Sequence, residues 1–113
     1  MNNPSVSIVI PAYNAELFIN DCVNSVINQS YRPIEIIVVN DGSTDSTSRI
    51  TNELFEKISE PDIEKKLIFL KENNGAANAL NIGFSCATGD YICWLSADDM
   101  FIRNDKLSLQ VVN

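Results

Sequence analysis

Two adjacent carboxylates, Asp98 and Asp99, follow closely after a short apolar run in this chain. The run, residues 91–95 (Tyr-Ile-Cys-Trp-Leu), has the length and composition of a strand buried on both faces. Adjacent carboxylates repel each other in water, whereas beside a hard divalent cation they supply oxygen ligands. The pair therefore predicts a divalent-cation site, with the alternative that Asp98 or Asp99 only caps a following helix or forms part of a turn.

Composition and charge narrow the classes of protein. The chain has 113 residues, of which 45% are hydrophobic and 20% are charged, so it is expected to form one domain with a substantial core. Its net charge is −7 and it has no basic cluster, which argues against nucleic-acid binding. A bound polyanion would need the help of a metal ion or of backbone N–H groups.

The chain contains no histidine, which excludes Ser-His and Cys-His nucleophilic mechanisms within it. Its cysteines, Cys22, Cys86 and Cys93, lack metal-ligand spacing and predict reduced, packed thiols of a cytosolic protein. No apolar run is long enough to span a bilayer. We therefore expect a cytoplasmic protein without a transmembrane segment, in which any association with the inner face of the membrane is peripheral.

Strand and helix patterns alternate along the chain. β-Branched or apolar runs predict strands at residues 5–10, 34–39, 67–70 and 91–95, with Pro11 ending the first. Apolar stripes predict helices at residues 15–30, around residues 50–58 and after residue 75, and the charged stretch 62–66 predicts a solvated loop. This order predicts an α/β fold with three layers (α/β/α) and a mainly parallel sheet.

If the second and third strands build outward on one side of the first and the fourth returns to its other side, the strand order reverses between the first and fourth strands. Three polar loops then meet there: residues 11–14, 40–43 and 96–99. Tyr13 could stack on a base, and Asp41 could accept a hydrogen bond from a base N–H. Asp98 and Asp99 could hold a cation against phosphates. The alternatives are that Tyr13 is an ordinary rim aromatic and that Asp41 is bonded to its own backbone in a turn.

Four segments carry a resemblance to a known family. They are Ser-Ile-Val-Ile-Pro-Ala-Tyr-Asn at 7–14, Ile-Ile-Val-Val-Asn-Asp-Gly-Ser-Thr-Asp at 36–45, the glycine and asparagine pattern at 73–83, and Thr-Gly-Asp-Tyr through Asp-Asp at 88–99. In this order they resemble the family 2 glycosyltransferases, which have the GT-A fold, a Rossmann-like nucleotide-diphospho-sugar transferase fold.

The resemblance implies an inverting transferase that moves a sugar from a nucleotide-diphosphate donor, expected to be UDP-linked, to an acceptor hydroxyl with Mg²⁺ or Mn²⁺. The implied acceptor is a saccharide or a lipid-linked saccharide, and the implied role is surface polysaccharide synthesis. The implied nucleotide-binding residues are Pro11, Ala12, Tyr13, Asn14, Asp41 and Asp98, and the implied metal ligands are Asp98 and Asp99.

Two positions depart from the family pattern: Ser96 stands where the acidic motif often begins with Asp, and Leu80 stands where Arg is frequent. The resemblance also implies that the general base is a carboxylate in the second half of the family's domain. Residues 1–113 are therefore expected to be a donor-binding half, truncated before the acceptor-binding half and able to self-associate through uncovered surfaces. The alternative function is a non-catalytic module that binds a nucleotide or nucleotide sugar.

Overall fold

The structure is a computed structural model that describes residues 3–97, in which strands and helices alternate. The elements are β1 (Val6–Ala12), α1 (Ile19–Ile27), β2 (Ile34–Asp41), α2 (Thr47–Lys57), β3 (Ile63–Leu70), α3 (Ala76–Cys86) and β4 (Tyr91–Trp94). This alternation confirms the predicted α/β class. Asp98 and Asp99 lie outside the described residues.

The four strands form one parallel sheet in the order β3-β2-β1-β4. After β1 the chain builds outward through β2 and β3, and it then returns to place β4 on the other side of β1. The strand order therefore reverses between β1 and β4, as predicted. In open α/β sheets, ligands bind at the carboxyl ends of the strands beside such a reversal.

Alternate residues of β1 and β2 point to opposite layers. Ile8, Ile36 and their neighbours two positions away share a core with α1 and α2, whereas Val9, Ile37 and Val39 pack with Ala79 of α3. At Gly83, a Cβ atom would lie 2.3 Å from Val9 Cγ1, so α3 approaches the sheet more closely than any side chain there would permit. The predicted three-layer arrangement is confirmed.

Pro11 does not end the first strand, contrary to the prediction. β1 continues to Ala12, and Pro11 pairs with Val39 of β2. The Leu95 N–H donates to Val9 O at 3.0 Å, so residues of β1 in step with Val9 turn their backbone groups toward β4. The missing N–H of Pro11 therefore faces the β4 side, beyond the last described β1–β4 pair, and the bonding of β1 to β2 does not need it.

The charged stretch 62–66, predicted to be a loop, instead contains the first half of β3. Lys65 Nζ donates to the carbonyl oxygen of Phe55 at 2.9 Å and also to that of Ile58, and so satisfies carbonyls at the end of α2. Lys66 Nζ lies 2.8 Å from Glu35 Oε2 on β2. Both lysines thus have partners that a strand provides and that local sequence does not reveal.

β4 was predicted to be buried on both faces, and this is wrong for the described residues. Tyr91, Ile92 and Trp94 are 53%, 47% and 54% exposed. Among the described strands, β4 pairs only with β1, and it therefore forms an edge of the sheet. Its apolar composition indicates a strand correctly but does not indicate its neighbours.

Candidate functional site

A cleft of about 240 Å³ opens at the carboxyl edge of the sheet, between β1 and the residues that follow β4. Its lining brings together Pro11, Tyr13, Asn14, Ala15, Phe18, Ser96 and Ala97. Three of the six implied nucleotide-binding residues, Pro11, Tyr13 and Asn14, therefore line the cleft with the two residues that precede Asp98. Ala12 is 2% exposed and packs in the core below the cleft.

Two aromatic side chains stand in this cleft. Tyr13 is 48% exposed and Phe18 is 49% exposed, so each presents part of its ring to solvent. The helix predicted over residues 15–30 would include Phe18, but α1 begins one residue later, at Ile19. Because the local pattern does not mark this boundary, it does not indicate that the Phe18 ring lies in the cleft.

Asn14 joins the loop after β1 to the loop after β2. Its N–H donates to Ser43 Oγ at 2.9 Å, and its Oδ1 accepts the N–H of Thr44 at 2.9 Å. Its φ of 47° lies in the left-handed region, which asparagine tolerates better than most residues. Asn14 therefore fixes the two loops relative to each other.

Further bonds strengthen the same junction. The Ala15 N–H donates to Thr47 Oγ1 at 2.8 Å, and the Glu16 N–H donates to Asp45 Oδ2 at 3.2 Å. Asp45 also accepts the N–H of Thr47, the first residue of α2. Burial raises the pKa of the Asp45 carboxyl, but hydrogen bonds from Thr47 and Glu16 outweigh it, so the pKa lies below its usual value.

Asp41 holds a third loop. Its Oδ1 accepts the N–H of Asn74 and its Oδ2 accepts the N–H of Gly75, both at 3.0 Å. The carboxylate is thus bonded to the loop between β3 and α3, rather than to its own backbone as the turn alternative required. Asp41 is 2% exposed and does not line the 240 Å³ cleft, although it ends the strand next to Tyr13. The last β1–β2 pair is Ala12 with Asn40, and Tyr13 and Asp41 are the residues that follow this pair along the two segments.

Gly42 allows the loop after β2 to contact the loop between β3 and α3. A Cβ atom at this position would lie 2.6 Å from the backbone nitrogen of Asn73 and 2.6 Å from the carbonyl carbon of Glu72. Its φ is +69°, a conformation that glycine adopts without strain. Both the backbone conformation and the lack of space therefore require glycine here.

Asn40 contributes a buried amide beneath the loops. Its Oδ1 accepts the N–H of Ser43 at 3.1 Å, and its side chain is completely buried. Within the described part of the chain its Nδ2 has no hydrogen-bond partner. A buried donor without a partner costs about 1–3 kcal/mol, so this group lowers the stability of the loop cluster.

The Thr-Gly-Asp segment at 88–90 lies at the other end of the sheet. The Thr88 N–H and hydroxyl each donate to the Glu35 carboxylate at 3.0 Å, and Asp90 accepts the N–H of Ser5 at 2.9 Å. A Cβ at Gly89 would lie 2.6 Å from Ser7 Oγ. This segment of the family pattern therefore bonds to the amino-terminal ends of β1 and β2 and does not contribute to the cleft.

A second cleft of about 300 Å³ also lies at this lower end and includes Glu35 in its lining. Burial raises the pKa of the Glu35 carboxyl, but bonds from Lys66, Thr88 and Ser7 outweigh it and bring the pKa to about 2. Those bonds occupy the four lone-pair positions of the carboxylate. Glu35 has no position left for a ligand, so we assign it a structural role.

Within residues 3–97, no three side chains of histidine, cysteine, aspartate or glutamate are grouped so that they could hold a metal ion. The predicted ligands Asp98 and Asp99 are not among these residues, and they follow directly after Ala97, which lines the cleft. In the same part of the chain, no helix has the length and apolar character needed to cross a membrane.

A family model, Glycosyl transferase family 2, matches residues 7–111 of this chain. The chain belongs to glycosyltransferase family 2. An uncharacterized glycosyltransferase of Haemophilus influenzae is 48% identical over 111 residues, which cover 98% of this chain and 42% of the relative. TuaG of Bacillus subtilis, a glycosyltransferase provisionally assigned to teichuronic acid biosynthesis, is 42% identical and is matched over 96% of this chain and 41% of its own length.

Two solved structures share the fold of this chain. The mannosyltransferase PcManGT of Pyrobaculum calidifontis, in complex with GDP-Man and Mn²⁺, superposes with a TM-score of 0.87 and 29% identity, over 95% of this chain and 31% of that one. S. aureus TarS 1–349 in complex with UDP gives a TM-score of 0.83 and 26% identity, over 96% and 31%. These neighbours confirm the GT-A fold. The chain spans less than half the length of these relatives.

Proposed function

We propose that this family 2 glycosyltransferase chain binds the nucleoside diphosphate of a sugar donor in the cleft between β1 and β4. The observation that carries the proposal is the meeting of Tyr13, Asn14 and Ala97 in one cleft at the reversal of strand order. The half-exposed ring of Tyr13 suits a nucleobase, which has a flat face for stacking. Asp41, at the end of the neighbouring strand, is the proposed hydrogen-bond acceptor for a base N–H, since a carboxylate can accept more than the two bonds it already receives.

Asp98 and Asp99 are the proposed metal ligands, with Asp98 also contacting the ribose. Adjacent carboxylates suit a hard cation such as Mg²⁺ or Mn²⁺, and the crystallised complex of PcManGT contains Mn²⁺. A bound cation would neutralise charge on the departing diphosphate and thereby aid its release. Such a cation would also explain how a chain with a net charge of −7 holds an anionic donor.

The proposed reaction is an inverting transfer. The acceptor hydroxyl oxygen forms a bond to the anomeric carbon while the bond from that carbon to the diphosphate oxygen breaks. The hydroxyl proton passes to a carboxylate base, and no residue of this chain is assigned that role. The proposed role of this chain is to hold the donor in the cleft, so that one face of the sugar is presented to the acceptor.

The proposed donor is UDP-linked, supported by the complex of TarS with UDP, whereas the GDP-Man complex of PcManGT favours guanosine as the competing base. The proposed process is surface polysaccharide synthesis on a saccharide or lipid-linked saccharide acceptor, supported by the assignment of TuaG. Self-association and a peripheral position at the inner membrane face stay predictions.

Calorimetric titration of UDP and of GDP, each with and without Mn²⁺, tests the proposal. We expect metal-dependent binding of UDP that is at least about tenfold tighter than binding of GDP. Asp99→Asn should remove the metal dependence, because an amide oxygen is neutral and binds a divalent cation less strongly than a carboxylate.

The matched control is Glu56→Gln, which neutralises an exposed carboxylate on α2 that lines neither cleft. It should leave nucleotide binding unchanged. If the wild-type chain binds neither nucleotide under any of these conditions, donor binding by these residues is refuted. If it binds UDP but a full-length relative with an intact acceptor half transfers no sugar, the non-catalytic binding module becomes the better description.

A further inference from the structure

The loop between β3 and α3 is attached through Asp41 to the end of β2, which pairs with the strand that leads to Tyr13 of the cleft. Both oxygens of the Asp41 carboxylate are committed to this loop, one to the N–H of Asn74 and one to the N–H of Gly75. The carboxylate is almost completely buried, so these charge-assisted bonds are shielded from competing water. The loop residues themselves, 73–75, are exposed and have few other attachments in the described structure.

Two further contacts define the same junction. Asn73 Oδ1 accepts the N–H of Gly75 at 3.0 Å, so this N–H is shared between Asn73 and Asp41. Gly42 packs so closely on the backbone of Asn73 that a residue with a side chain would not fit at position 42. The segment is therefore held from below by Gly42, from one side by Asp41 and from within by Asn73.

We propose that Asp41 is a positioning residue that fixes the segment Asn73–Gly75 as one wall of the donor site, so that nucleotide affinity depends on this segment as well as on any contact between Asp41 and the base. The inference rests on the proposed function, since it concerns the same site. It adds the β3–α3 loop to the three loops that the sequence had suggested.

The chemistry of the segment suits a nucleotide. Gly75 has a φ of +96° and empty space where a Cβ would lie, so the backbone there is open to a ligand. Asn73 and Asn74 are exposed, and their side-chain amides can both donate hydrogen bonds to a nucleobase edge and accept them from it. These groups can serve the site only if the loop is held in place, and that is the role of the Asp41 carboxylate.

The test uses three variants of the chain and a control. Asp41→Asn preserves side-chain size but replaces one acceptor oxygen with an NH₂ donor, so at most one of the two bonds survives. Asn73→Ala removes the internal bond to Gly75 and leaves the Asp41 carboxylate in place. The double variant combines them, and Asn52→Ala, an exposed asparagine on α2, is the matched control.

The first readout is amide hydrogen exchange by NMR without nucleotide. We expect exchange at Asn74 or Gly75 to be about tenfold faster in Asp41→Asn, because local opening requires breaking fewer bonds. In the wild type, UDP with Mn²⁺ should slow exchange at the same amides, since coupling between a ligand and a loop is reciprocal. Unchanged exchange at both amides in Asp41→Asn would overturn the proposal.

The second readout is the Kd for UDP with Mn²⁺, measured on variants shown to be folded by circular dichroism. We expect Asn73→Ala to weaken binding about fivefold while Asn52→Ala has no effect, and we expect the double variant to lose less than the product of the two single effects. Equal affinity of Asn73→Ala and Asn52→Ala, with a large loss in Asp41→Asn, would show that Asp41 acts on the base alone. Absence of nucleotide binding by the wild type would refute the proposed function and this proposal together, whereas the exchange data would still report whether Asp41 holds the loop.

Discussion

Glu35 of β2 and Lys66 of β3 form an ion pair across neighbouring strands, with 2.8 Å between Oε2 and Nζ. The carboxylate is buried and the ammonium is partly exposed, with 38% of the lysine side chain accessible. Thr88 and Ser7 supply the remaining bonds to the carboxylate. This cluster connects β1, β2, β3 and the segment that leads into β4, at the end of the sheet away from the cleft.

We predict a pH dependence of stability from Glu35. Its pKa in the folded chain is about 2, compared with an ordinary value of 4.5, so the unfolded state takes up a proton first as pH falls. The stabilisation should be complete above about pH 5 and should decline as the pH falls from there toward 2. Urea unfolding of the wild type and of Glu35→Gln between pH 7 and pH 3 measures this directly.

At neutral pH, Glu35→Gln should cost about 2 kcal/mol, because Lys66 loses its partner but remains partly hydrated. The difference in unfolding free energy between the two proteins should narrow below about pH 4.5 as Glu35 of the unfolded wild type becomes protonated. Glu56→Gln, on the exposed face of α2, serves as the control; it retains Glu35, so its unfolding free energy should decline below pH 5 as that of the wild type does. A gap between wild type and Glu35→Gln that stays constant down to pH 3 would contradict the assignment.

A second prediction compares two glycines with positive φ. Gly42→Ala combines strained backbone with a Cβ atom 2.6 Å from backbone atoms of the next loop, whereas Gly75→Ala has strain but open space. We expect Gly75→Ala to cost about 1 kcal/mol and Gly42→Ala to cost about 3 kcal/mol or more. Urea unfolding measures both free energies. Equal losses of unfolding free energy in the two variants would indicate that the loop after β2 and the β3–α3 loop can move apart without cost.

The third prediction concerns stacking in the cleft. Tyr13→Ala should weaken UDP binding in the presence of Mn²⁺ by about tenfold, because stacking on an aromatic ring is worth about 1–3 kcal/mol per base. Tyr13→Phe should bind UDP nearly as well, since the ring is retained.

Tyr91 offers a matched control for this experiment, because it is similarly exposed but lies on β4 outside the cleft. Tyr91→Ala should leave the Kd for UDP unchanged. Calorimetry on the four proteins separates the two roles of Tyr13: an equal Kd in Tyr13→Ala and Tyr91→Ala would make Tyr13 an ordinary rim aromatic.

The local sequence pattern predicted the strands and the fold class correctly, but it did not predict the hydrogen-bond and ion-pair partners of the polar side chains. β-Branched runs and turn residues indicated the strands, because these depend on periodicity and short-range chemistry, and the alternation of strands with helices indicated a parallel sheet. The loop predicted at 62–66 was wrong because Lys65 and Lys66 find a helix end and Glu35 only in the folded chain. Glu35 itself was a usable signal, since a charge inside a run of isoleucine and valine requires partners when it is buried.

The candidate site shows the same limit. Tyr13 and Asn14 were selected from their place after a strand, and the structure puts both in the cleft. Asp41 was selected for a contact with a base, and no sequence pattern pointed to its bonds with Asn74 and Gly75, 33 and 34 residues later. Such distant pairings depend on which strands become neighbours, and the composition of each segment does not encode this.

The half-exposed edge strand β4 also carries an intrinsic fluorophore. Trp94 is the single tryptophan of the chain, it is 54% exposed, and it stands two residues before Ser96 of the cleft. Indole emission moves to shorter wavelength when the ring leaves water, so any chain segment or ligand that covers this strand will change the intrinsic fluorescence. Coverage of this strand by a ligand or by another chain can therefore be followed without a label.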